Sequence, residues 1–226
     1  SATSLLTIDQ TFLDGHLNNN GFAGAICNLS SQMIKGALAL HKEVAESFRK
    51  TAANFHYEFN IRHLALVFSG LLQSNAAQFD NPEKFVYLWV HESERVYGDR
   101  LVSNADINKF KQIISSQAKK AFPQYNVSRF YMDGASSESS LVFCHFQEPS
   151  SLDEPTYDQV PMLQTLRSTF EGALNEYNEF HAVMDLVLFA DAVCHIARIT
   201  RIVMQPAGHA LLVGVGGSGK QSLARL

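Results

Sequence analysis

Residues 210–223 read ALLVGVGGSGKQSL, and this order constrains the fold more than any other stretch. An apolar run, Ala210 to Val213, predicts a strand. A glycine-rich turn from Gly214 through Val215, Gly216, Gly217 and Ser218 to Gly219 follows, then Lys220 and a helix start at Gln221, Ser222 and Leu223. Strand, glycine loop and helix in that order form the setting of a phosphate-binding P-loop. Glycines let successive backbone N–H groups converge on one anion, and the lysine ammonium reaches the outer phosphates. Residues 214–223 are therefore the candidate nucleotide-binding residues.

One position departs from the pattern. The residue after the lysine is ordinarily Ser or Thr, whose hydroxyl ligates Mg²⁺. Here it is Gln221, and Ser222 comes one place late. One residue of helix rotates a side chain by about 100°, so Ser222 does not stand in for the missing hydroxyl. ATP or ADP is the expected ligand, with the magnesium requirement left open. A P-loop domain also needs further strands, one bearing a Walker B carboxylate. Leu226 follows soon after Lys220, so the expectation is a segment of a longer chain.

Composition narrows the class. Hydrophobic residues at 46% against 18% charged fit a globular chain of one or two domains rather than a disordered one. A net charge of −4 gives no case for nucleic-acid binding. No apolar run approaches the ~18 residues of a membrane span, and residues 1–30 lack a basic, signal-like start. Cys27, Cys144 and Cys194 are too dispersed for a metal pair and read as reduced thiols.

Helical periodicity places apolar stripes at 7–17, 31–49, 60–74, 84–97, 104–122, 159–180 and 190–204. Asn60, Asn81 and Ser103 or Asn104 predict N-caps, Pro82 a first helical residue, and Gly98 a helix end. Phe55, Tyr57 and Phe59 alternate as in an extended piece. Arg62 lies in a first helical turn, where a cation opposes the helix dipole; it either reaches an anion or pairs with a surface carboxylate. Glu92 and Arg95 are at ion-pair spacing. The polar run from Gly134 to Ser140, and loops around Pro149 and Pro155, predict a boundary across 123–158 that holds a short strand at 141–146. Residues 183–189 suggest a short strand or an apolar turn.

Three blocks together resemble dynein heavy chains of the axonemal kind: FHYEFNIRHL (55–64), LWVHESERVYGDRL (88–101) and LVLFADAVCHIARITRIVMQPAGHALLVGVGGSGKQSL (186–223). Glutamine after the P-loop lysine is also the form seen in the fourth AAA+ module of that family. The resemblance implies a mainly α chain with α/β elements. A helical AAA+ lid subdomain, residues 1–130, would end the third module, and residues 131–226 would begin the fourth, a P-loop α/β domain. It implies that Arg62 is the lid arginine facing nucleotide and that Val187 and Leu188 lie near the adenine pocket. The function implied is part of the ATPase ring of a minus-end-directed microtubule motor in the cilium or flagellum. Its partners would be the rest of the ring, intermediate and light chains, and microtubules through regions outside this stretch. Two other readings follow from the residues alone: a P-loop ATPase of another class, and a helical interaction module with an incidental glycine turn. Phosphate-dependent stabilisation separates the last from the other two.

Overall fold

The computed structural model describes residues 2–131, 141–146 and 155–226. The chain divides into two compact units, Ser1–Asp133 and Gly134–Leu226. The run from Gly134 to Ser140 and the loop at Pro149 lie outside the described residues.

The first unit is helical throughout its regular structure: α1 (Ala2–Asn19), α2 (Gly24–Cys27), α3 (Ser30–Ser47), α4 (Ile61–Leu71), α5 (Pro82–Tyr97) and α6 (Asn104–Ala121). α1 runs longer than its apolar stripe predicts, and the single turn of α2 carries too few residues to show a period. α5 packs against α3, α4 and α6. It buries Phe85, Val86, Tyr87, Leu88, Trp89 and Val90 in succession, so it is covered on every side along that run.

The caps form where the sequence places them. Asn60 Oδ1 accepts from the Arg62 N–H at 3.0 Å, and Asn81 Oδ1 accepts from the Glu83 N–H at 2.9 Å ahead of Pro82. Ser103 Oγ accepts from the Asp106 N–H at 3.1 Å. Gly98 does end α5, but with φ of −69° and not in a left-handed cap. A Cβ there would stand 3.0 Å from Phe110 Cε1, so close approach explains the glycine. Phe55–Phe59 joins no ladder. Instead, Tyr57 is buried, accepting from the Val102 N–H at 3.0 Å and donating to Asp106 Oδ2 at 3.0 Å. Arg95 pairs with Glu94 at 3.5 Å and with Asp99 at 3.2 Å, while Glu92 is fully buried beside Gly70.

The cap of α4 titrates. The Asn60 N–H donates to His63 Nδ1 at 3.0 Å, completing a capping box in which the imidazole must be neutral. Burial, reinforced by the Arg100 charge, holds His63 below the ordinary imidazole range. Burial does the same to His16 and His41. The unfolded chain therefore binds these protons first. Stability is complete above the unfolded value of about 6.5 and is lost as pH falls below it. The melting temperature is expected to drop between pH 7.5 and pH 5.5. His63→Gln, which retains an acceptor that does not titrate, should show a smaller drop; an equal drop in both proteins would refute the role of His63.

The second unit opens with a short antiparallel pair, β1 (Phe143–Cys144) and β2 (Asp158–Gln159), with Phe143 opposite Gln159. α7 (Leu163–Phe180), α8 (Ala190–Met204) and α9 (Lys220–Arg225) follow. α7 and α8 pack together and enclose a cluster of Val142, Cys144, Leu166, Phe170, Val193 and Ile196. Burial pushes the Cys144 thiol up to about 11, so it stays protonated at neutral pH, as expected of a structural cysteine.

One strand expectation fails in this unit, and the open choice at 183–189 between a strand and an apolar turn falls against the strand. Residues 183–189 are irregular, with Val187 exposed and Leu188 buried. Residues 210–213 are also not a strand, and Leu211 and Val213 are 88% and 87% exposed. A strand is defined by its ladder, and among the described residues no other strand pairs with this run.

Candidate functional site

The glycine loop follows the exposed run 210–213 and ends at Gly219, the residue before α9. Gly217 and Gly219 have φ of +76° and +74°, in the left-handed region that costs other residues ~1–2 kcal/mol. Ser218 sits between them, and its N–H turns back to the Val215 carbonyl at 3.4 Å. This alternation curls the backbone into a concave nest of the kind that binds anions.

Lys220 folds back into that curl. Its Nζ donates to the Gly214 carbonyl at 2.7 Å, to the Val215 carbonyl at 2.7 Å and to Ser218 Oγ at 3.0 Å. Gly214 makes room for this: a Cβ there would lie 3.0 Å from Ser218 Oγ and 3.5 Å from Lys220 Nζ. A hollow of about 430 Å³ is lined by Gly217, Ser218, Gly219, Lys220, Gln221 and Ser222. All six are residues that the sequence pattern singles out.

Leu223 anchors the far side of the loop. With Leu226 and Leu186 it packs against the cluster that contains Leu188, Val193 and Ile196. The irregular stretch 186–188 and the start of α9 thus share one apolar support. Within it Leu188 is 2% exposed and committed to the core, whereas Val187 is 72% exposed. Arg62 belongs to the other unit. Its side chain is exposed in the first turn of α4, and its backbone N–H is taken by Asn60.

The donor set suits phosphate. It offers one ammonium, a serine hydroxyl and a glycine-rich backbone whose N–H groups need no side-chain clearance. It does not suit magnesium in the usual way, because Gln221 occupies the hydroxyl position and Ser222, which also lines the hollow, comes one helical step later. Among the described residues no three His, Cys, Asp or Glu side chains gather as a cation cage.

Comparison with known proteins decides the family. Residues 33–128 match the AAA+ lid domain, and residues 184–226 match the P-loop containing dynein motor region D4. The chain is 51% identical over 223 residues, 99% of its length, to the dynein alpha chain of the flagellar outer arm of Chlamydomonas reinhardtii. It is 44% identical over the same span to the ciliary dynein beta chain of Tripneustes gratilla and to human dynein axonemal heavy chain 17. The chain belongs to the axonemal dynein heavy-chain family. It spans 5% of the length of each of these dyneins. The lid match falls within the helical first unit, and the motor-region match within the second unit, where it includes the glycine loop.

Proposed function

We propose that this segment works within the ATPase ring of an axonemal dynein, the motor that drives ciliary or flagellar beating along microtubules. Residues 1–130 would close the third AAA+ module as its lid, and residues 131–226 would begin the fourth. The loop Gly214–Gly219 with Lys220, Gln221, Ser222 and Leu223 would bind ATP or ADP and regulate the ring. Val187 would border the base, with Leu188 supporting it from the core, and Arg62 would face the nucleotide of the third module. The rest of the ring, the intermediate and light chains and the axonemal cytoskeleton are the partners this reading names.

The observation that carries it is the placement of Lys220. Its ammonium holds two carbonyls and a hydroxyl inside the glycine curl, the seat a phosphate would take. Phosphate oxygens can replace those acceptors and turn bonds from an ammonium to neutral oxygens into ammonium–anion pairs. Bound nucleotide can bias the ring only through different affinities for its conformations.

The test is titration of the intact motor ring with a fluorescent ATP analogue in magnesium buffer. Lys220→Ala is expected to weaken binding at this site at least tenfold, about 1.4 kcal/mol. Unchanged binding would end the proposal.

A further inference from the structure

Gln221 is the residue of the loop that the phosphate reading leaves unexplained. It lines the hollow beside Lys220, and it is exposed, whereas Ser222 is half-buried. The position ordinarily supplies a single neutral oxygen that fixes one corner of the magnesium octahedron. A glutamine carboxamide is longer and rotates freely. Magnesium demands near-ideal octahedral geometry, with ligands at about 2.0–2.1 Å, and an unsupported amide oxygen holds no fixed corner. The same carboxamide carries two N–H donors, which a hydroxyl does not.

The neighbouring groups favour the donor role. Lys220 Nζ makes its three hydrogen bonds on the inner side of the curl, at Gly214, Val215 and Ser218, so a phosphate that displaces those acceptors meets the ammonium from within. Gln221 is the next side chain on the hollow's wall, with no anionic group among the residues that share it. A carboxamide there can give its N–H groups to the phosphate oxygens that a metal would otherwise bridge.

We propose that Gln221 makes this a metal-independent nucleotide site: its amide donates directly to the phosphates of a nucleoside diphosphate, in the place that magnesium takes at a P-loop with Ser or Thr. The inference rests on the phosphate-binding reading of the loop. It implies a site that retains nucleotide without setting up metal-assisted phosphoryl transfer, which suits occupancy sensing better than turnover.

The experiment uses the intact motor ring and ADP labelled with a fluorophore on its ribose. Binding that disappears in Lys220→Ala defines occupancy of this site. It is measured in excess magnesium and again in EDTA. The expected ratio of the two dissociation constants is less than about tenfold for the wild-type ring, and at least tenfold larger for Gln221→Thr than for wild type. A wild-type ratio of tenfold or more overturns the inference and leaves the loop a conventional phosphate site. A Gln221→Thr ratio equal to that of wild type overturns the role of the amide. Absence of Lys220-dependent binding in both buffers overturns the phosphate reading itself, and the inference with it.

Discussion

Gly70→Ala is expected to lower the melting temperature of the chain by about 10 °C, although alanine is the better helix former by ~1 kcal/mol. A Cβ on Gly70 would lie 1.8 Å from Glu92 Oε2, 2.2 Å from its Cδ and 2.7 Å from its Cγ. These atoms belong to a side chain, but not to one that can swing aside, because Glu92 is 0% exposed. Overpacking a filled core costs about 1–3 kcal/mol, and displacing a buried carboxylate from its surroundings costs ~3–5 kcal/mol. Both exceed the propensity gain. The fluorescence of Trp89, the one tryptophan in the chain, reports the transition because the ring is fully buried on the same helix as Glu92. Adding Glu92→Ala to Gly70→Ala should cost less than the sum of the two single changes, since Glu92→Ala takes away the side chain that the new Cβ would strike. A Gly70→Ala protein that melts within about 2 °C of the parent would refute the packing of α4 on α5.

Gly70 also shows where the sequence stops being legible. Within VFSGLL a glycine reads as a weak point of the α4 stripe, because nothing nearby in sequence reveals the carboxylate above it. The same holds for Glu92. Its spacing suggests an ion pair with Arg95, and only the crossing of α4 and α5 shows it to be interior. Caps were readable because they are local: Asn60, Asn81 and Ser103 each bond backbone groups within three residues. The turn of the glycine loop was readable for the same reason, since Gly214 to Lys220 close on one another locally. The run at 210–213 has strand-like composition, yet a ladder is a relation between segments. The single-turn α2 and the division of labour between Val187 and Leu188 likewise depend on what packs nearby.

Trp89→Ala is expected to destabilise the first unit by about 3–5 kcal/mol, whereas Trp89→Phe should cost well under half of that. The indole occupies the meeting point of three helices. Its ring stands edge-on to Phe122 with centroids 5.2 Å apart. Gly36 of α3 lies beneath it, where a Cβ would come within 3.5 Å of Trp89 Cζ2 and 2.9 Å of the Ala121 Cβ of α6. Truncation to alanine leaves a cavity that this junction cannot close, since α3 and α6 already approach as nearly as Gly36 allows. Phenylalanine keeps most of the aromatic contact. It also removes a liability, for the buried indole Nε1 has no hydrogen-bond partner among the described residues, and an unmatched buried donor costs ~1–3 kcal/mol. Far-ultraviolet circular dichroism follows both variants, because the fluorescent reporter is lost. If the phenylalanine protein proved as unstable as the alanine one, the indole nitrogen would have to be serving an interaction, and the junction of α3, α5 and α6 would be polar at its centre.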